Sequence, residues 1–89
     1  DNNNNTYIFG IYKKMHHIAK QNSMRVLKLE YEGNQASVIL SGDIKVILGS
    51  DDLDKRLHLF FTSYKKVKDY KNVKYFDMRY TDGFAVKYN

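Results

Sequence analysis

The sequence predicts an α+β fold, an antiparallel (mixed) sheet with helices packed on one face, in the order α-β-β-β-α-β-β. Three observations predict it. Two stretches place apolar residues three and four apart, as a helix needs to bury one side. Five shorter stretches alternate apolar and polar residues with period two, as half-buried strands do. The breaks between strands are short and rich in Gly, Asn and Asp, which favours hairpin connections.

The first helix is marked by Ile8, Ile11, Tyr12, Met15, Ile18 and Ala19, with Lys13, Lys14, His17 and Lys20 on its other sides. Thr6 is the expected N-cap and Gln21-Asn22-Ser23 the expected stop. From Arg25 to Glu32, Leu27, Leu29 and Tyr31 are expected on the buried face, with Lys28, Glu30 and Glu32 opposite. Gly33-Asn34 turns into a strand from Gln35 to Leu40, and Ser41-Gly42-Asp43 into one from Ile44 to Leu48.

Gly49 closes that strand. Ser50 is then expected to cap the second helix, with Asp51, Asp52 and Asp54 in its first turn beside the positive end of the helix dipole. Leu53, Leu57, Phe60, Phe61, Tyr64 and Val67 form its buried stripe, and Lys65, Lys66 and Lys68 suit its negative end. After a polar connection from Asp69 to Asn72, strands from Val73 to Tyr80 and from Phe84 to Tyr88 flank an expected Asp82-Gly83 type I′ turn.

Composition narrows the function. With 89 residues the chain is one domain or part of one, and at this size about 60–65% of the unfolded surface is buried. Hydrophobic residues make up 43% and aromatics 15%, enough for one core. There is no Cys, which removes disulfides and thiolate chemistry but leaves the compartment open. No apolar run is long enough to span a bilayer. The Asn run at the start reads as a linker over residues 1–6, ahead of a domain over 7–89.

Nothing in the sequence assembles a catalytic site or calls for a cofactor. His16 and His17 point about 100° apart on a helix and cannot chelate one ion together. The acidic triplet lacks the glycine and distal Glu of a calcium loop. Asp77 and Arg79, two apart on a strand, share a face and are placed to pair. The charge of +5 is concentrated in Lys65, Lys66, Lys68, Lys71 and Lys74, interleaved with Tyr64, Tyr70 and Tyr75. That combination suits a single-stranded nucleic acid, but three of the lysines are already explained as helix-end charges and Tyr64 lies on the core stripe. The last strand is the stronger feature. A final short strand left at a sheet edge offers unpaired backbone groups to a partner strand, unless Lys87 and twist keep it closed.

Three segments carry a family resemblance: Gly42-Asp43-Ile44-Lys45-Val46-Ile47-Leu48-Gly49, Asp54-Lys55-Arg56-Leu57 with its helix, and Phe76 to Val86. Together they resemble the C-terminal part of the periplasmic β domain of the bacterial cell-division family FtsQ/DivIB. The last segment matches the family ending D-L-R-Y-x-x-G-x-A-V, with Met78 in the leucine position and Asp82 where a small polar residue can stand.

The resemblance implies a divisome scaffold that links early and late division proteins and is not an enzyme. It implies a larger single-pass protein with a POTRA domain, anchored in the inner membrane and acting on its periplasmic face at the septum, with this portion soluble. FtsB- and FtsL-like proteins are the implied partners, with FtsB adding a strand to the final β-strand and no nucleic acid expected. By motif position the implied contacts are Arg79, Tyr80, Asp82 and Gly83, then the edge Phe84, Ala85, Val86, Lys87 and Tyr88. Arg79 would meet an acidic side chain and Tyr80 would supply an aromatic anchor.

Overall fold

The computed structural model of the chain describes residues 2–89, with side chains from Thr6 onward. The linker expected over 1–6 falls mainly on positions outside the described side chains. Helix α1 (Asn2–Gln21) is followed by β1 (Val26–Glu32), β2 (Gln35–Leu40) and β3 (Ile44–Gly49). Helix α2 (Leu53–Ser63) leads through short 3-10 turns at Tyr64–Lys66 and Tyr70–Asn72 to β4 (Val73–Tyr80) and β5 (Gly83–Tyr88). The element order is the expected one.

The five strands form one mixed sheet in the order β1-β2-β3-β4-β5. All neighbours are antiparallel except β3 and β4, which run parallel with Val46 beside Phe76. A parallel pair needs a crossover, and α2 supplies it. Both helices pack on one face. Met15, Ile18 and Ala19 of α1 and Leu57 and Phe60 of α2 bury against Val26, Val38, Leu40, Val46, Leu48, Phe76 and Met78 of the sheet. Phe60 lies at the centre, stacked on Tyr64 at 4.7 Å and edge-on to Phe76 at 5.0 Å.

Four local expectations are corrected. Thr6 lies inside α1 rather than capping it, because the helix runs back to Asn2. In β1 the buried residue is Val26, while Leu27 is 49% exposed. Val26 pairs with Leu40 and Lys28 with Ile39, so Leu27 is an extra residue in a bulge that shifts the alternation by one.

Ser50 does not cap α2. Gly49 and Asp52 both take positive φ, so the chain turns twice before the helix starts at Leu53, and only Asp54 lies in its first turn. The carbonyl of Asp52 accepts the Arg56 N–H at 2.9 Å, whereas its side chain makes no capping bond. Finally, Tyr80 pairs with Gly83, so the last hairpin turns through Thr81-Asp82 rather than Asp82-Gly83. Asp82 is not among the residues of positive φ that a type I′ turn requires.

Candidate functional site

The last hairpin forms one edge of the sheet, and its far end meets the start of α2. Asp77 pairs with Ala85 and Tyr80 with Gly83, so two residues of β4, Met78 and Arg79, face one residue of β5. This bulge twists the strand end. Met78 is buried under α2, whereas Arg79 points to the face that carries no helix. Tyr80 is 54% exposed, beside Leu59, Lys55 and Arg56 of α2 in a shallow groove floored by Met78.

Asp77 is the one charged residue in the buried set of the described residues, at 7% exposure. Burial of a carboxylate is costly without compensation, and Arg79 supplies it. Its Nε donates to Oδ1 and a terminal nitrogen to Oδ2, both at 2.8 Å, and its backbone N–H also points to Oδ1 at 3.2 Å. The i, i+2 spacing therefore makes the pair that the sequence suggested. A further contact of 3.4 Å reaches from Arg79 to Gln35 of β2. The hydrogen bonds from Arg79 hold the Asp77 carboxyl below the usual carboxylate range, against the opposing effect of burial, and Arg56 adds to the lowering.

The sign for stability follows. A lowered folded pKa means that the unfolded chain binds the proton more readily, so Asp77 contributes stability above the ordinary Asp range and loses it as pH falls through its lowered folded value. We expect the urea midpoint to fall on acidification more steeply in the native chain than in Asp77→Asn. Equal acid dependence of the two would remove Asp77 from the effect.

Gly49 completes this corner. It has φ +83, and an added Cβ would lie 2.8 Å from a terminal nitrogen of Arg56 and 3.0 Å from Cγ of Arg79. The Arg56 guanidinium donates to the Leu48 carbonyl and ties α2 to the end of β3. Two arginines from different elements thus converge over one glycine. This convergence is not legible in the sequence, because spacing within a segment says nothing about what a distant element brings to it.

Along β5, Phe84 and Val86 pack toward the core, while Ala85 and Lys87 lie on the helix-free face opposite Asp77 and Tyr75. Tyr88 donates its hydroxyl to the Lys68 carbonyl at 2.6 Å, which anchors the strand end. Gly83, at φ +147, has open space where a side chain would project. The expected Arg79, Tyr80, Asp82 and Gly83 therefore cluster at one end of an edge strand that runs to Tyr88.

The lysine patch is arranged differently. Lys65, Lys66, Lys68, Lys71 and Lys74 are exposed, but Tyr64 is buried against Phe60 and Tyr70 packs edge-on to Tyr64 at 5.4 Å. Two of the three rings available for stacking on bases are thus occupied by the core. Among the described residues no three His, Asp or Glu side chains are grouped to hold a metal ion.

A family model described as cell division protein FtsQ/DivIB, C-terminal, matches residues 1–79. The chain belongs to this family. It is 36% identical over 74 residues to the cell division protein FtsQ of Neisseria meningitidis, covering 80% of this chain and 31% of that protein. It is 35% identical over 74 residues to the FtsQ of Neisseria gonorrhoeae, covering 80% of this chain and 30% of the relative. The chain thus spans under a third of the length of these FtsQ relatives. Among the described residues no helix is long and apolar enough to cross a membrane.

Proposed function

We propose that the chain is the C-terminal portion of an FtsQ-like β domain and a non-catalytic scaffold of the divisome, docking an FtsB-like partner, itself paired with an FtsL-like protein, by strand addition to β5. The intact protein would be membrane-anchored and would act on the periplasmic face of the inner membrane at the septum, linking early and late division proteins. The observation that carries this reading is that β5 ends the strand order while Tyr80 stands exposed at its mouth. An added strand would satisfy the free backbone groups of β5, and Tyr80 would give the partner an aromatic anchor beside Leu59 and Met78. Lys55 and Arg56 outnumber Asp52 along this groove, an excess of positive charge that favours an acidic partner residue. Arg79 already holds Asp77, so an acidic group reaching it would share an occupied guanidinium.

The test is an NMR titration of the isotope-labelled chain with a peptide from the FtsB-like partner and, separately, with a single-stranded oligonucleotide. Peptide shifts confined to Arg79 through Tyr88 and the start of α2 are expected. Shifts around Lys65 to Lys74 with the oligonucleotide, and none with the peptide, would overturn the reading. Tyr80→Ala is expected to weaken peptide binding by more than about 1 kcal/mol. An unchanged dissociation constant would exclude Tyr80 from the interface.

A further inference from the structure

On the sheet face that carries no helix, strand register sets one side chain from each strand in a single row: Lys28, Ile39, Lys45, Tyr75 and Lys87. Lysines thus alternate with an aliphatic and an aromatic residue. Ile39 and Tyr75 are half-buried, and Lys87 is exposed. The next row brings Glu30 and Asp77, but Lys28 lies 3.3 Å from Glu30 and Arg79 binds Asp77. Those are the two ion pairs among the described residues, which leaves Lys45 and Lys87 as cations with no carboxylate partner. A sheet face packed under another layer is apolar. This one carries ionised side chains of β1, β3, β4 and β5, so its own residues suit it to water and to charged ligands.

We propose that this row binds an extended acidic peptide crossing the strands in the polyproline II conformation, with carboxylates three residues apart on Lys45 and Lys87 and the residues between them over Tyr75. The spacing selects the conformation. Neighbouring strands lie about 4.8 Å apart, so Lys45 and Lys87, two strands apart, leave the sheet about 9.6 Å from each other. A polyproline II chain has three residues per turn and rises about 3.1 Å per residue, so residues i and i+3 project to one side about 9.3 Å apart. A β-strand puts residues of one side about 6.6 or 13 Å apart, and neither interval meets both lysines without bending their stems. One further turn toward β1 would bring a third carboxylate to Lys28, where Glu30 competes for it.

Tyr75 lies midway between the two lysines and gives a proline the aromatic contact that proline-rich ligands use. A single ring makes no platform for successive bases, which argues against a nucleic acid on this face. An anionic membrane attracts lysines whatever their spacing, so the interval between carboxylates separates that source from a peptide. The proposal does not rest on the docking reading at β5. It uses side chains on a face rather than backbone groups on an edge, and Lys45 and Ile39 lie two and three strands in from β5.

NMR titration of the isotope-labelled chain with a capped peptide of three Glu-Pro-Pro repeats tests it, beside a peptide of the same composition whose glutamates are adjacent. The repeat is expected to shift Ile39, Lys45, Tyr75 and Lys87 and to bind about fivefold tighter than the clustered peptide, which can meet only one of the two lysines. Lys45→Glu and Lys87→Glu are each expected to weaken the repeat about tenfold, since an attraction becomes a repulsion. No shift in the row, equal affinity for the two peptides, or unchanged affinity in both variants overturns the proposal. So does a row that responds to anionic lipid vesicles or to a single-stranded oligonucleotide and not to the repeat. Strand addition at β5 has a separate signature, shifts from Tyr80 to Tyr88 that leave Lys45 and Ile39 unmoved, so failure of one reading leaves the other standing.

Discussion

Phe60→Ala is expected to remove about 3–5 kcal/mol of folding stability, the range for deleting a fully buried aromatic ring. Phe60 is 1% exposed and touches three other rings, Phe61 and Phe76 edge-on and Tyr64 in a stack. Those rings come from α2, the turn after it and β4, so the void left by alanine could be filled only by moving several elements at once. Small domains have total stabilities of about 5–15 kcal/mol. A large share of the chain's cooperativity is therefore at stake. Urea unfolding followed by tyrosine fluorescence measures the loss, and a loss below about 1 kcal/mol would show that the surrounding rings collapse into the space.

Gly49→Ala is expected to cost about 2–4 kcal/mol, combining the left-handed backbone penalty with displacement of two arginines. The backbone part follows from φ +83. The remainder arises because the new methyl would sit 2.8 Å from the Arg56 guanidinium and 3.0 Å from the stem of Arg79. Moving Arg79 loosens its hold on Asp77, leaving a buried carboxylate less well compensated. Combining Gly49→Ala with Arg79→Ala should cost less than the sum of the two, because they share a contact. Strict additivity, measured by the same urea unfolding, would mean that the backbone penalty alone accounts for the effect.

The two helices, the five strands and their order were legible because each depends on a pattern within one segment. The stripe through Leu53, Leu57, Phe60 and Phe61 and the alternation through Ala36, Val38 and Leu40 each give a phase that burial then matches. Helix α2 stops at Ser63, however, so Tyr64 and Val67 reach the core from beyond the helix and Lys65, Lys66 and Lys68 are not in its last turn. The Asp77–Arg79 pair was legible for the same reason, since residues two apart on a strand share a face. Errors occurred where the chain departs from strict periodicity. The bulge at Leu27 shifts β1 by one residue, and the bulge before Tyr80 moves the final turn to Thr81-Asp82. The start of α2 was misplaced because Gly49 and Asp52 both take positive φ, and no local capping rule anticipates two left-handed residues ahead of the helix. In the candidate site, the residues of the last hairpin were legible from their motif. Leu59, Lys55 and Arg56 were not, because α2 reaches Tyr80 only through the tertiary fold.

The parallel pairing of β3 with β4 has a consequence for how the docking edge is kept in place. Strands β1, β2 and β3 follow one another through two- and three-residue turns, whereas residues 50–72 separate β3 from β4. Local hairpins close in microseconds, while a pairing across so long a connection waits for its loop to be closed. The last hairpin is therefore joined to the sheet by the latest-forming ladder, and an opening of that ladder would release β4 and β5 together. A ligand that binds only the ordered hairpin stabilises the closed form in proportion to its concentration over its dissociation constant. By that linkage, occupancy of β5 at one margin of the sheet would slow the exchange of amide protons at the β3–β4 seam, on the far side of β4.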